Sequence, residues 1–472
     1  MPVSRPLEAH PLLCFNVGRR HYREVVVGEG ELFCSPDAHS NDLRNWRSPL
    51  GEFDLPDFVR ALPAPWNKPS LFVARVDAAM SSVPRNISPL DCPKLLLVGD
   101  THHQGAAITR LLDYALAEPF DLVVGEYDRH HLHFFAEAGL RNVAWLPSFT
   151  LSPYELAPAA NHSQPLAFFG STGAYHPYRN AVLQQLETDG FPLFTGSGTR
   201  QQAAECYNRA LISLNVSLNG DLNLRVFEVL AAGGFLITDR LSVESGLPLL
   251  FEPGKELVTF ETPQELQELI TGFLARPDEA MAIAQAGQAR YLKQHRPQEK
   301  IRQLLSLMAR GGLSHPEYDV RLDGRTRLPA ERLPLLRQRI AVYELLQELH
   351  RVNPSLDVLF WPGAERVASD AVDLPRLRVS MMSSETADPG INAILEGRVG
   401  WTTDDDLGAR RWNLLLCKAG DLSAPHLQAL LRRRFCDGVV VTDDLDDAAG
   451  RPVAELGLEP FNHRPRAFSF RQ

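Results

Sequence analysis

The chain has 472 residues, of which 44% are hydrophobic and 22% charged, and its formal net charge is −10. This length exceeds what one hydrophobic core usually serves, so two or three domains are expected. The composition is that of a folded globular protein and excludes a disordered chain. The excess of 58 acidic over 48 basic residues argues against a protein that binds nucleic acid.

The six cysteines predict neither a zinc site nor a disulfide framework, because no two of them are spaced as C-x-x-C. Most lie in apolar runs, which is typical of reduced core thiols in a cytoplasmic protein. The N-terminus lacks a basic segment followed by a long apolar stretch, and no run reaches the roughly 18 apolar residues of a membrane helix. We therefore expect a cytoplasmic chain without a transmembrane segment, which leaves peripheral membrane contact open.

The first 150 residues predict a Rossmann-like domain. Residues 11–95 indicate mixed α/β structure with irregular connections, and from residue 94 short apolar runs alternate with segments of helical spacing. Strands are predicted at 94–100, 120–126 and 142–148, and helices at 106–118 and 130–139. Strand–helix alternation favours a parallel, doubly wound sheet, so we assign 1–150 to an N-terminal Rossmann-like domain.

A second set of alternating elements follows a linker at 149–164, which is rich in Pro, Ala and Ser. Strands are predicted at 166–171, 191–196, 211–217, 235–239 and 257–260, and helices at 178–190, 200–210, 224–234, 263–276 and 278–293. The last helical region should be interrupted at Pro297. We assign 151–315 to a second Rossmann-like domain, which places a ligand cleft between the two domains at the carboxyl ends of their strands.

Residues 316–472 predict a further α/β domain. Helices are expected at 331–350 and 423–435, and strands at 356–363, 377–382, 412–418 and 438–444. No glycine-rich loop follows any of these strands, so an adaptor or homo-oligomerisation role is favoured over methyltransferase-like or other second-transferase chemistry. The basic run at 430–435 is expected to be a solvated helix face, with an acceptor-binding or partner surface as the alternative.

The segment 214–239 carries the strongest functional signal. A strand is followed by a polar loop, a helix that begins near Asn223, and a double glycine that leads directly into another strand. A helix N-terminus offers unpaired N–H groups and partial positive charge to a diphosphate. Arg225 in the first turn can add a contact to phosphate, and Glu228 can accept the hydroxyls of a ribose. The alternative is a surface ion pair between Arg225 and Glu228.

The run NLRVFEVLAAGGFLITD (223–239) resembles the signature of CgeB-like glycosyltransferases, which are related to the retaining family-four group of the GT-B class. Looser resemblance extends over roughly 94–310. It implies a GT-B architecture: two Rossmann-like domains facing a cleft, here with the C-terminal α/β extension. It also implies transfer of a hexose from a nucleoside-diphosphate sugar to a hydroxyl of a glycan, lipid or protein, with no metal and no cofactor.

The resemblance also implies donor-binding residues. The loop after the first strand of the second domain and a basic residue on the next helix should approach the diphosphate, and the 223–239 segment should hold the ribose. The residues at these positions are Gly170, Ser171, Thr172, Arg179, Asn223, Arg225 and Glu228.

One position departs from the family pattern. Family-four enzymes carry a further glutamate eight residues before the ribose-binding one, and here that position is Gly220, with Asp221 next to it. The resemblance implies a retaining transfer, while the position of the family's contact to the donor sugar departs from its pattern. A non-catalytic nucleotide-sugar-binding or scaffold protein is the alternative function.

Catalytic candidates follow the predicted strand at 94–100. Asp100, His102 and His103 could supply a general base, or could steady the leaving group or the acceptor. Glu126, at the end of the next strand, should face the same cleft. The alternatives are capping of the helix that begins near residue 106, and a metal site formed by these histidines with His130 and His131.

Overall fold

The computed structural model describes most of the chain. The described ranges are 9–16, 30–38, 44–102, 104–147, 153–159, 161–310, 331–382, 388–403, 406–407, 410–443, 456, 458–460 and 466–470. The chain divides into two compact units, unit 1 (residues 1–320) and unit 2 (residues 321–472).

The first sheet of unit 1 has seven parallel strands, because short apolar runs alternate with helices and leave each strand buried on both faces. Their order across the sheet is β3-β2-β1-β5-β7-β8-β9. The strands are β1 (Pro11–Phe15), β2 (Leu32–Ser35), β3 (Asn45–Arg47), β5 (Leu71–Val76), β7 (Lys94–Val98), β8 (Leu122–Gly125) and β9 (Val143–Trp145).

A small parallel pair and three helices complete this half of unit 1. The pair consists of β4 (Gly51–Asp54) and β6 (Ser82–Arg85). The helices are α1 (Leu55–Arg60), α2 (Ala107–Ala117) and α3 (Leu132–Glu137). Helix α2 buries Ile108, Leu111 and Leu112, as its spacing predicts.

The second sheet of unit 1 has five parallel strands in the order β11-β10-β12-β13-β14. Their bounds are β10 (Gln164–Phe169), β11 (Leu193–Gly196), β12 (Ala210–Asn215), β13 (Leu236–Asp239) and β14 (Val258–Phe260). The strand order reverses between β10 and β12, so the chain leaves these two neighbours in opposite directions. Such a reversal opens a crevice at the carboxyl ends of the strands.

Helices cover both faces of this second sheet. They are α4 (Pro177–Thr188), α5 (Arg200–Arg209), α6 (Leu224–Ala231), α7 (Leu247–Leu250), α8 (Pro263–Ala275), α9 (Pro277–Gln294) and α10 (Pro297–Arg310). The predicted interruption at Pro297 is confirmed, because α9 ends before it and α10 begins on it. Phe168, Ile212, Phe235 and Ile270 belong to one buried cluster that joins sheet and helices.

Unit 2 contains a mixed seven-stranded sheet of order β17-β16-β15-β18-β19-β21-β20. Its strands are β15 (Asp357–Phe360), β16 (Arg378–Met382), β17 (Gly400–Thr402), β18 (Trp412–Cys417), β19 (Cys436–Val441), β20 (Leu458–Pro460) and β21 (Ala467–Phe470). The first five in chain order are parallel, and β21 runs antiparallel to both β19 and β20. The helices are α11 (Leu333–Val352), α12 (Glu365–Ala371), α13 (Pro389–Leu395) and α14 (Pro425–Arg432).

The predicted architecture of two Rossmann-like α/β domains with a C-terminal α/β extension is confirmed. Within the described ranges, no helix combines the length and the apolarity that crossing a bilayer requires. The basic run at 430–435 is partly exposed and partly buried: Leu430 and Leu431 face the core, and the arginines at 432–434 are exposed. All six cysteines are free thiols.

A pair of helical glycines tests how closely the helices of the second domain pack. A Cβ at Gly287 in α9 would collide with the carbonyl oxygen of Glu256 and approach Leu230. We expect Gly287→Ala to lower stability by about 1–3 kcal/mol, the usual cost of overpacking. Thermal and urea unfolding midpoints measure the change.

Gly272→Ala in α8 is the matched control, because its Cβ would meet only the flexible end of Arg276. Alanine is the better helix former, so this variant should gain about 0.5–1 kcal/mol. Equal behaviour of the two variants would contradict close packing of α9 at Gly287.

Candidate functional site

Arg179 joins the two loops that diverge at the β10/β12 reversal. It lies in the first turn of α4 and is buried. Its Nε and Nη2 donate to the carbonyl oxygen of Val216 (3.0 and 2.8 Å), and its Nη1 donates to that of Ser171 (2.9 Å). Burial first, and then neighbouring Arg225, lowers the Arg179 pKa to about 10. Arg179 therefore remains a cation at neutral pH and fixes both loops through their backbone.

Arg225 lies beside it, at the start of α6. Its Nε donates to the carbonyl oxygen of Phe169 (3.0 Å), and its Nη1 donates to Asn215 Oδ1 (2.8 Å). A Cβ at Gly170, whose φ is +153°, would collide with the Arg225 guanidinium. Glycine is therefore required at position 170, because the guanidinium passes directly beneath the loop after β10.

The amino end of α6 is built for an exposed polar ligand. Asn223 is the N-cap, and its Oδ1 accepts from the backbone N of Arg225 (3.1 Å). The apolar residues of α6 (Val226, Phe227, Val229 and Leu230) are fully buried, which holds the polar residues toward the open side. Glu228 is half-buried; its backbone carbonyl accepts from Ala232 N (3.1 Å), and its carboxylate forms no hydrogen bond or ion pair with the described part of the chain. The predicted surface pair between Arg225 and Glu228 is thus absent from the described contacts.

The loop after β12 carries a buried carboxylate. Ser217 donates to Asp239 through both its backbone N and its hydroxyl (2.7 and 2.6 Å), which anchors the loop to the end of β13. Asn219 and Gly220 have φ values of +54° and +81°, so the chain turns sharply there. Asp221 lies after this turn, and its Oδ1 accepts from the backbone N of Leu218 (2.7 Å).

His102 connects this loop to the first sheet. Its Nδ1 lies 2.9 Å from Asp128 Oδ2, and its Nε2 lies 3.5 Å from Asp221 Oδ2. The side chain of Asn219 donates to the His102 carbonyl oxygen (2.9 Å). Asp128 also accepts from the hydroxyl of Thr101 (2.8 Å). One imidazole is thus held between a carboxylate of each domain.

These contacts set the protonation of the site. Burial alone would lower the His102 pKa, but Asp128 and Asp221 outweigh it and raise the pKa to about 10. Burial opposes ionisation of Asp128, but His102 holds the Asp128 pKa well below its usual range. For Asp221, burial is the largest influence and raises the pKa to about 6. At neutral pH His102 is therefore a cation between two carboxylates.

Further polar contacts cross between the two halves of unit 1. The backbone N of Gln104 donates to the Tyr175 hydroxyl (3.0 Å), and Arg129 Nη1 donates to Glu244 Oε2 (3.0 Å). The carboxyl ends of both sheets therefore face one cleft, and the loops after β7, β8, β10 and β12 line it.

His130 and His131 lie with Asp128 in a group of possible metal ligands. Asp128, His130 and His131 have donor atoms within 4.8 Å of one another, and all three are buried. However, Asp128 Oδ2 faces His102, and His131 Nδ1 lies 2.7 Å from the Thr101 hydroxyl. Burial, and then His130, lowers the His131 pKa well below its usual value, so His131 is neutral. These contacts support Asp128, and the donor atoms of the group also lie close enough together to hold a metal ion, which a neutral imidazole can bind.

The other predicted residues have diverse positions. Ser171 and Thr172 are exposed in the loop after β10, and Asp100 is half-buried after β7. His103 lies outside the described residues. Glu126 does not face the cleft freely, because Arg75 Nε donates to it at 2.6 Å in a buried ion pair. The N-cap residue of α2 is Ala106, which makes no side-chain capping bond.

Two residues of the site escaped sequence reasoning. Asp128 lies three residues after the end of β8. Residues that follow a parallel strand in this way are expected at the cleft, so its position was a signal that could have identified it. Asn219 lies in the polar loop after β12, next to Gly220, the position at which the family carries its first glutamate. Its cross-domain hydrogen bond depends on a left-handed backbone that the sequence alone did not indicate.

Residues 167–306 match the family model described as glycosyl transferase-like. The chain therefore carries a glycosyl transferase-like domain. This match contains the β10/β12 reversal, both arginines and the α6 start. No curated protein sequence matches the chain.

Solved glycosyltransferase structures are similar at low identity. TarM is 9% identical with a TM-score of 0.39, covering 50% of this chain and 54% of TarM. Sucrose-phosphate synthase from Thermosynechococcus elongatus is 14% identical, with a TM-score of 0.46 and coverage of 64% and 99%. HepE from Anabaena, in complex with UDP, is 11% identical, with a TM-score of 0.45 and coverage of 64% and 100%. The chain spans about half of the length of TarM. The GT-B architecture of the chain follows from the order of its own strands.

Removing either of the two carboxylates that flank His102 should lower stability at pH 7.5 by very different amounts. Asp128→Asn removes the carboxylate that is paired with the buried His102 cation. We therefore expect the free energy of unfolding to fall by about 3–5 kcal/mol at pH 7.5. Asp221 has a folded pKa raised above its unfolded value, so its stabilising contribution is complete below about pH 4 and is lost as pH rises through about 6. Asp221→Asn should therefore cost far less at pH 7.5.

Thermal unfolding of both variants at pH 4.5 and 7.5 measures this difference. Relative to the unmodified protein, the free energy of unfolding of Asp221→Asn should rise by about 1–3 kcal/mol as the pH is raised from 4.5 to 7.5. Asp128→Asn should be destabilised at both, because the Asp128 contribution is lost only in more acidic solution. Equal losses for the two variants at pH 7.5 would contradict the assignment of charges around His102.

Proposed function

We propose that the protein is a glycosyltransferase that moves a hexose from a nucleoside-diphosphate sugar to a hydroxyl of a glycan, lipid or protein acceptor. Residues 1–150 would bind the acceptor and 151–315 the donor, with 316–472 as a separate domain. The observation that carries the proposal is the convergence of Arg179, Arg225 and the start of α6 at the β10/β12 reversal, inside the glycosyl transferase-like match.

The donor diphosphate would lie at the amino end of α6, against the loop 170–172. Arg179 uses three of its five guanidinium N–H groups on backbone carbonyls, and Arg225 uses two on the Phe169 carbonyl and Asn215, so both contribute a fixed positive field. Preorganised charge of this kind stabilises a departing diphosphate without a metal ion, and we include metal independence in the proposal. The Glu228 carboxylate, which forms no hydrogen bond or ion pair with the described residues, would accept the ribose hydroxyls.

His102 would act as a cation and not as a general base. An imidazole whose pKa is raised to about 10 keeps its proton at neutral pH, so it cannot accept one from the acceptor hydroxyl. A cationic His102 can donate a hydrogen bond and can balance negative charge that develops on the leaving group. Inversion requires a base near the acceptor, so this charge state supports retention. Asp100 and His103 remain candidates for contact with the acceptor.

Donor binding is tested by isothermal titration with UDP, GDP, dTDP and CDP, each with and without EDTA. We expect one nucleotide to bind, with an affinity that EDTA does not change. Glu228→Gln and Arg225→Ala should each weaken that binding by about 1–3 kcal/mol, which is roughly a factor of 5 to 150.

Glu205→Ala is the matched control, because Glu205 forms an exposed pair with Arg209 on α5 of the same domain. It should leave nucleotide affinity unchanged. Unchanged affinity in both Glu228→Gln and Arg225→Ala would sink the donor-site assignment. Loss of binding on EDTA treatment would overturn metal independence.

The pH dependence of donor hydrolysis tests the role of His102. Because His102 stays protonated until about pH 10, the rate should show no rising limb between pH 7 and 9. Asp221 titrates near pH 6, so any limb there should disappear in Asp221→Asn. A rising limb near pH 6.5 that persists in Asp221→Asn would identify His102 as a neutral base and contradict the proposed role.

A non-catalytic nucleotide-sugar-binding protein is the second candidate. The observation that favours it is Gly220 at the position of the family's first glutamate, with the adjacent Asp221 turned toward His102. Nucleotide binding by titration together with no detectable hydrolysis or transfer, over the same pH range, would select this function.

A further inference from the structure

The sheet of unit 2 reverses its strand order in the middle. Its five parallel strands lie in the order β17-β16-β15-β18-β19. In chain order, β16 and β17 are added on one side of β15, and β18 and β19 are added on its other side. In open parallel sheets, a ligand crevice lies outside the carboxyl ends of the two strands where the order reverses. In unit 2 that crevice is bounded by residues 361–364 after β15 and 418–423 after β18.

At this crevice, carboxylate side chains accept hydrogen bonds from the backbone N–H groups of the loops. Three hydrogen bonds show it: Gly363 N donates to Glu365 Oε1 (2.7 Å), Lys418 N to Asp421 Oδ2 (2.9 Å), and Ala419 N to Asp443 Oδ1 (2.6 Å). In a phosphate-binding loop, N–H groups of this kind point at the phosphate. A nucleoside diphosphate would therefore meet negative charge where it needs hydrogen-bond donors.

Lys418 only partly offsets this charge. Its side chain crosses the loop after β15, where a Cβ at Gly363 would lie 2.8 Å from Lys418 Nζ. Burial raises the Asp421 pKa, Lys418 opposes the rise, and Asp443 and Glu365 add to it, so these three carboxylates interact with one another. Three acids against this lysine favour a neutral or cationic ligand.

An aromatic pair belongs to the segments that follow β15 and β18: Trp361 comes directly after β15, and His426 lies in the first turn of α14. The Trp361 and His426 rings have centroids 6.4 Å apart and planes inclined by 31°. The backbone N of Trp361 donates to the Leu416 carbonyl oxygen (2.8 Å), which extends the β15–β18 pairing and fixes the base of the indole. The indole packs partly against the hydrophobic core of unit 2, and its remaining exposed surface could stack a nucleobase.

We propose that unit 2 binds a nucleoside that carries no phosphate, with its base on Trp361 and its ribose hydroxyls on Asp421 and Asp443. Each carboxylate uses one oxygen for the backbone bond described above, and the second can accept from a hydroxyl. The charge balance selects a cationic nucleoside such as S-adenosylmethionine over a phosphorylated one. Such a ligand would give residues 321–472 the methyltransferase-like chemistry that the sequence made the less favoured alternative.

The test is isothermal titration of the full chain with S-adenosylmethionine, S-adenosylhomocysteine, adenosine and ADP. The three ligands without phosphate should bind, and ADP should bind at least about 10-fold more weakly than adenosine. Trp361→Ala and Asp443→Asn should each weaken binding by about 10-fold or more. The matched controls are Trp401→Ala, an exposed tryptophan on β17, and Asp437→Asn at the amino end of β19, both expected to bind as the unmodified chain does.

Three outcomes would overturn the proposal. They are no binding of any of the three at about 1 mM, tighter binding of ADP than of adenosine, and equal losses in Trp361→Ala and Trp401→Ala. Glu228→Gln separates this site from the donor site of unit 1, because it should leave S-adenosylmethionine binding unchanged. A loss in that variant would place the nucleoside in unit 1 and also overturn the proposal, whatever the fate of the glycosyltransferase function.

Discussion

The imidazole of His102 is the group on which the cleft of unit 1 depends. It lies between Asp128 of the first domain and Asp221 of the second, and its own backbone carbonyl accepts from Asn219. A buried cation is tolerated only when paired, and here each domain supplies one of the two carboxylates. The polar interior of the cleft is therefore stable only while the two domains stay close together, which couples cleft geometry to charge.

The two arginines at the β10/β12 reversal serve a related purpose within the second domain. Arg179 binds carbonyl oxygens from both diverging loops, and Arg225 lies under Gly170. A guanidinium presents several donors in a fixed plane, so one side chain can hold two backbone segments at once. The loops that would receive a diphosphate are consequently rigid before it arrives, and their positive field is already in place.

The sequence predicted this fold well wherever strand–helix alternation was regular. The strands and helices from residue 94 to 310 were predicted close to their observed bounds, because buried parallel strands are apolar runs and their helices are amphipathic. It was less informative at 30–60, where β2, β3, β4 and α1 are short and have weak patterns. Antiparallel β20 and β21 were missed, since they are only three and four residues long and runs this short carry little pattern.

The candidate site was only partly predictable for the same reason. Asn223 as N-cap follows from local sequence, and its side-chain bond to Arg225 N agrees. The charge of His102 does not follow from local sequence, because it depends on Asp221, 119 positions later in the chain, as well as on Asp128. Likewise, Glu126 looked like a cleft residue until the structure paired it with Arg75 from a neighbouring part of the sheet.

The reversals in the donor-side sheet and in unit 2 show how one topology can serve different ligands. At β10/β12 two arginines and a helix start face the crevice, while at β15/β18 carboxylates occupy the backbone N–H groups. Topology fixes where loops diverge and thus where a ligand can enter, but it says nothing of the ligand's charge. The charge that a crevice favours depends on which side chains accept hydrogen bonds from the N–H groups of its loops. The charge of the first crevice is thus positive and that of the second is negative, which is the contrast on which the two proposals rest.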